Sequence, residues 1–211
     1  FDHTWASEYR MCSTTDYYPK LQSCVPFTPV TGPRLMARGT PDQRKRAISS
    51  LIEAIQTMCD SRGISSAHVT FPAKTEWKMM GEAGFLQRTG IQYHWLNEGY
   101  VTFDDFMGTL KQTRRKNIRQ DRNKVAAAGI TVHRLRGDEI QPRHWDAFYK
   151  FYLNTVDEKW GQAYLTRDFF RILARDIGEK ILLIVAEDKS GHLVAGALNL
   201  IGGDCLYGRN W

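Results

Sequence analysis

Two apolar runs near the end of this chain, Ile181–Glu187 (ILLIVAE) and Leu193–Ile201 (LVAGALNLI), joined around Lys189-Ser190-Gly191, read as an antiparallel β-hairpin. Gly202-Gly203-Asp204 then turns the chain into a further strand over residues 205–211. A sheet of this kind must bury one face, and the residues before it supply the cover. Pro142 opens a helix with Trp145, Phe148, Tyr149 and Tyr152 on one side, and Thr166 caps another carrying Phe169, Phe170, Leu173 and Ile177. The hairpin therefore predicts a mixed α/β layer.

Upstream the same alternation recurs. The first forty residues, spaced by Pro19, Pro26, Pro29 and Pro33, predict an irregular strand-and-loop segment with an extended piece at 21–27. Thr40-Pro41-Asp42-Gln43 is a capping box with proline at the first helical position, Ile48, Leu51, Ile52, Ile55, Met58 and Cys59 follow at helical spacing, and Gly63 is the stop. The pattern next predicts a strand at 67–71, a helix at 75–83 closed by Gly84, and a strand at 85–96. One helix is predicted from Phe103 through the basic stretch to Ala128, then a strand at 130–135. Two α/β modules result, residues 1–98 and 99–211, without a sequence-level repeat.

The composition, 211 residues with 42% hydrophobic and 25% charged, is that of a globular chain with a real core. No run approaches the roughly 18 apolar residues of a membrane span and no signal-peptide pattern opens the chain, which predicts a soluble protein of the cytoplasm. Cys12, Cys24, Cys59 and Cys205 form no C-x-x-C pair and have no histidine at zinc-ligand spacing, so structural thiols are expected, with no metal. The chain starts at Phe1 and stops at Trp211 within a strand pattern, the ends expected of an internal piece of a longer protein.

Charge is the feature that points toward function. The stretch KQTRRKNIRQDRNK, residues 111–124, carries a net +6, which is also the net charge of the whole chain. An anionic partner would meet the protein there. On a helical wheel Lys111, Arg115, Arg119 and Arg122 share one arc beside Met107, Ile118 and Val125, placing guanidinium groups along a buried edge. Arg114, Arg115, Lys116, Arg119 and Arg122 are the candidate ligands for phosphate oxygens, because the guanidinium fork forms paired hydrogen bonds. A solvated helix face is the competing reading. Stacking aromatics interleaved with the basic residues would favour single-stranded RNA, and the stretch contains none.

Other candidates are weaker in chemistry. Ala195, Gly196 and Ala197 would let a ligand or another backbone approach the hairpin, with core packing as the alternative, and Asn199 sets an amide among apolar neighbours. Tyr207 offers a hydroxyl in the last strand. Lys159-Trp160-Gly161 and Tyr164-Leu165-Thr166 lie in an interhelical loop, facing a ligand or closing an aromatic clamp. His144 and Asp146 belong to a helix start and are not read as a catalytic pair. No nucleophile elbow, phosphate-binding glycine loop or zinc-hydrolase motif is present.

Several long segments in one order carry a resemblance: YYPKLQSCVPFTPVTGPRL at 17–35, HVTFP at 68–72, GFLQRTGIQYHW at 84–95, RRKNIRQDRNKV at 114–125, HWDAFYKFYLNT at 144–155, KWGQAYLTRDFF at 159–170 and LVAGALNLIGGDCLYGRNW at 193–211. Together they resemble the FemAB-like branch of the GNAT-type N-acyltransferases, a family associated with peptidoglycan. The resemblance implies a doubled GNAT-like α/β fold, both modules incomplete here, with a strand-helix unit before Phe1 and a donor-site segment after Trp211 missing. It implies transfer of an acyl or aminoacyl group from acyl-CoA or aminoacyl-tRNA to an amine acceptor. Both donors bear phosphates, which assigns the basic helix to the donor; Lys159, Asn199 and Tyr207 are then candidates for substrate positioning. No catalytic base is identified. The alternative is a non-catalytic module that holds RNA or another anion on residues 111–124.

Overall fold

The computed structural model describes residues 2–26, 28–159 and 161–210; Phe27, Trp160 and Trp211 of the segments read above lie outside them. The chain divides into two compact units, Phe1–Trp95 and Leu96–Trp211.

In the first unit, α1 (His3–Cys12) precedes β1 (Leu21–Ser23), α2 (Pro41–Arg62), β2 (Ala67–Val69) and α3 (Lys74–Glu82). The anticipated cap of α2 forms in full: the Thr40 hydroxyl accepts from the Gln43 amide while the Gln43 side chain accepts from the Thr40 amide. At the other end Gly63 takes the left-handed conformation, φ 60°, and its amide donates back to the last turn. β1 and β2 pair in parallel, Leu21 opposite Ala67. Ile52 of α2, Met80 of α3 and Leu35 make the core, with Ile48, Ile55, Val69 and Phe85 against it.

Glu76 is the polar pin of this unit. It is 4% exposed, and its two carboxylate oxygens accept from the amides of Arg34, Leu35 and Ala73 at 2.9–3.1 Å. One acid thus satisfies three backbone donors and ties the loop before α2 to the start of α3.

Two expectations for this unit are corrected. Residues 3–12 are helical rather than loop; the cap signal that would announce α1 is missing, since the Asp2 side chain caps nothing and instead accepts from Tyr18 and Lys20. The strand expected at 85–96 does not form. Its alternating apolar residues stand outward, Leu86 and Tyr93 at 95% exposure, and no strand among the described residues offers them a ladder. β-propensity alone does not make a strand without a partner.

In the second unit, α4 (Phe103–Thr109) and α5 (Gln112–Ala127) lead into β3 (Thr131–Arg136), α6 (Pro142–Glu158), α7 (Arg167–Ile177), β4 (Ile181–Glu187), β5 (Leu193–Ile201) and β6 (Leu206–Asn210). The four strands form one antiparallel sheet in the order β3-β4-β5-β6. Ile181, Leu183 and Val185, spaced by two along β4, point into a core completed by Leu198, Trp145, Phe148, Tyr152 and Phe170. The rings of Trp145, Phe148, Tyr149 and Tyr152 surround that of Phe170, centroids 5.7–6.1 Å away. Gly196 lies under α6: a Cβ there would come within 2.9 Å of the Phe148 ring, so helix packing accounts for the small residue in β5.

The hairpin, the caps of α6 and α7 and the mixed α/β class follow the sequence reading. The single helix expected from Phe103 to Ala128 is instead two, broken where Leu110 (ψ 151°) and Lys111 (ψ 146°) are extended. Gly108 and Thr109, both poor in helix propensity, precede the break.

Replacing Glu76 by alanine leaves three backbone amides without their acceptor in a closed setting. We expect urea unfolding to report a loss of about 3 kcal/mol, whereas the exposed Glu82→Ala should lie within about 0.5 kcal/mol of the parent.

Candidate functional site

α5 has no buried residue, an unusual condition for a 16-residue helix, and its sequence is polar nearly all round. Two contacts from its own cations hold it beside α4. The Arg115 guanidinium donates to the Gly108 carbonyl at 3.4 Å, a cation on the free carbonyls at the C-terminal end of α4. The Arg122 guanidinium lies 4.3 Å from the centre of the Phe103 ring. Between the two helices runs an open groove of about 960 Å³ lined by Asp104, Gly108, Gln112, Arg115, Lys116, Arg119 and further α5 residues out to Ala127. A smaller groove of about 370 Å³ adjoins it, sharing Asp104, Arg119 and Asn123 and adding Phe103, Met107 and Arg122.

The electrostatics favour an anion there. Within the basic stretch only Lys124 comes within ion-pair distance of an acid among the described residues, Asp121 at 3.8 Å, an exposed pair of little energetic weight. No side chain caps the N-terminus of α5, so the positive end of the helix dipole adds to the field at Gln112 and Lys116. The opposite arrangement caps α4. Asp105 accepts from the amides of Thr102 and Val101, and those bonds, the Thr102 ones foremost, hold its carboxyl below the usual carboxylate range.

The residues singled out from sequence fall in different places. Arg115, Lys116 and Arg119 line the larger groove, Arg119 and Arg122 the smaller, and Arg114 lines neither. The expected buried edge beside them holds in part: Met107 is buried and Ile118 half-buried, but Val125 is 41% exposed, and the break at Leu110 takes Met107 off the helical wheel of α5. Lys159 caps the C-terminal end of α6. The Asn199 amide donates to the carbonyls of Leu182 and Ala197 at 3.2 and 3.3 Å, within the sheet. Tyr207 stands on β6, 40% exposed, its hydroxyl pushed up by the hydrogen bond with Cys205. Neither groove includes these three residues. Beside Asn199 the β5–β6 ladder is irregular: Leu198 faces Asn210 and Asn199 faces Gly208, leaving Arg209 as the extra residue, whose guanidinium donates to the Tyr164 hydroxyl at 2.7 Å. The 161–166 loop is an aromatic clamp, since the Tyr152 hydroxyl accepts from the amides of Tyr164 and Leu165 at 3.0 and 3.1 Å.

Sequence reading missed that Phe103 and Asp104 belong with the basic residues. The run of positive charge along α5 gives no hint of a helix folded back on it; the pair Gly108-Thr109 was the available signal.

The comparison with known families now decides the identity of this architecture. The model of the FemAB-like family, peptidoglycan biosynthesis/recognition, matches residues 1–211. The chain belongs to the FemAB-like family. No curated protein matches it. Members of the FemAB-like family are transferases. In this FemAB-like chain no helix of the described residues is long and apolar enough to cross a membrane, and among those residues no three His, Cys, Asp or Glu side chains gather into a metal-holding group. The four cysteines are unpaired thiols, Cys12 and Cys205 exposed.

His144 and Asp146 are structural here. Asp146 pairs with Arg167, and the His144 Nδ1 accepts from the Gln141 amide at 3.0 Å, closing the N-terminal turn of α6. Burial first, and the Arg143 guanidinium second, push the His144 imidazole below its ordinary value of 6.5. The folded state thus prefers the neutral ring, and the stabilisation it contributes is full above about 6.5 and is lost as pH falls toward the lower folded value. Chemical unfolding followed between pH 7.5 and pH 5 should show stability falling with acid, and His144→Gln should flatten part of that slope.

Proposed function

We propose that this FemAB-like chain forms part of an N-acyltransferase, that its α4–α5 groove holds the phosphates of the activated donor, and that its two units correspond to paired GNAT-like modules. The observation that carries the reading is the gathering of Arg115, Lys116 and Arg119 along one groove with no acid within ion-pair distance of them among the described residues. Guanidinium and ammonium groups held at one-turn spacing on a rigid helix suit a run of phosphates. The helix is about 24 Å long, from its rise per residue, so a polyanion such as the acceptor arm of an aminoacyl-tRNA uses more of it than the compact diphosphate of an acyl-CoA. The family background favours the same donor.

The transfer itself is direct. A neutral amine attacks the ester carbonyl of the donor, the new C–N bond forms, and the C–O bond to the ribose breaks. The negative charge that develops on the carbonyl oxygen needs donors, and backbone amides at the irregular β5–β6 ladder are suited to it, with Asn199 and Tyr207 on those strands and Lys159 just past the end of α6 as positioning groups. The amine proton leaves to solvent or a base, and the displaced ribose oxygen takes one up.

An alternative with its own support is pure binding, since both grooves consist wholly of α4 and α5 residues and contain no histidine, serine, threonine or cysteine. Binding and transfer are separated by measuring both on one sample. With a labelled aminoacyl-tRNA, the double change Lys116→Gln/Arg119→Gln should weaken binding and reduce the slope of log K against log salt by about 0.7 for each phosphate left without its cation. Arg171→Gln, an exposed cation on α7, should change neither. Equal affinity and slope in all three proteins contradicts the donor site. Transfer of the label to an amine acceptor by the parent protein, reduced by the double change, supports the enzyme over the binding module.

A further inference from the structure

A plain phosphate trough has no use for a carboxylate, yet Asp104 lines both grooves beside the arginines. Its neighbour Asp105 supplies the cap of α4, and Asp104 has no hydrogen-bond or ion-pair partner among the described residues. At the same end stand the amide of Asn123 and the Phe103 ring, 45% exposed and backed on one side by the Arg122 guanidinium. Phe106 and Tyr100 buttress it, with centroids 6.0 Å from Phe103 to Phe106 and 5.7 Å from Phe106 to Tyr100. The aromatics absent from residues 111–124 are therefore brought to them by the fold.

A flat ring, a guanidinium in line with it, an acceptor-only carboxylate and an amide form a set with a definite complement. A nucleobase stacks on the ring and cation, the carboxylate accepts from an exocyclic amino group, and the amide pairs with an adjacent donor and acceptor. Adenine, cytosine and guanine each carry an exocyclic amino group; uracil carries none, and its O4 carbonyl stands where cytosine has its amino group, which the Asp104 carboxylate repels. We infer that the Phe103 end of the groove is a nucleobase site selective for amino-bearing bases, the attached phosphate lying on Arg119 and the chain of phosphates running toward Lys116 and Arg115. This rests on the reading of the groove as a donor-phosphate site and adds to it the base and the residues that choose it. The base could come from an unpaired stretch of RNA or from a free adenine nucleotide, and the test separates the two.

The protein is titrated into fluorescent single-stranded A6, C6 and U6 RNA at fixed salt, with ATP as competitor. The inference expects A6 and C6 to bind roughly tenfold more tightly than U6. Phe103→Leu should weaken A6 roughly tenfold with the salt slope unchanged, and Phe103→Trp should restore it. Asp104→Asn should bring A6 and U6 together, since an amide can face either base. Displacement of A6 by ATP identifies the free nucleotide as the source; base selectivity that ATP does not disturb identifies RNA. Equal binding of the three oligomers, indifferent to Phe103→Leu while Lys116→Gln/Arg119→Gln still lowers the salt slope, overturns the base site and leaves the phosphate reading standing. If neither RNA nor ATP binds, both fall.

Discussion

The stretch 111–124 carries a net +6, almost all of it on α5, a helix with no buried residue that has little reason to lie against anything, and the candidate site depends on the two guanidinium contacts between α5 and α4. Arg115 meets the carbonyl of Gly108 and Arg122 covers the Phe103 ring, so each of these two cations has one contact with the scaffold. Lys116 and Arg119, between them, are left to face an anion. In the proposed reading, the like charges that repel one another along the rod are a row of phosphate ligands, and a bound polyanion relieves that repulsion.

The scaffold beneath is ordinary by comparison. α6 and α7 set five aromatic residues against β4 and β5, and the Glu76 carboxylate organises the first unit by answering three backbone amides. Such packing leaves polar work to its edges. In this chain the polar edges are the α4–α5 groove and the irregular β5–β6 ladder.

Much of the fold was legible wherever a local rule acts alone. Thr40, Pro41 and Gln43 announce α2, Gly63 ends it, Pro142 and Thr166 open α6 and α7, and the 181–201 hairpin is marked by apolar runs on either side of a glycine turn. What failed needed a partner to decide it. Residues 85–96 have the alternation of a strand but no neighbour to pair with, and α1 lacks a capping signal. The break at Leu110 was hidden because the helical periodicity on either side is compatible with one long helix. For the site, the basic residues were visible as a charge run, while Phe103, Asp104 and Asn123 were not, because their relevance comes from a helix folded back and not from spacing. Arg114, Lys159, Asn199 and Tyr207 line neither groove.

The most direct test is hydrogen exchange of the protein with and without aminoacyl-tRNA, read peptide by peptide. The account predicts slowed exchange over residues 103–127, with α7 and its exposed arginines unchanged. Exchange over 103–127 that is the same in both samples, while another segment becomes protected, would contradict it.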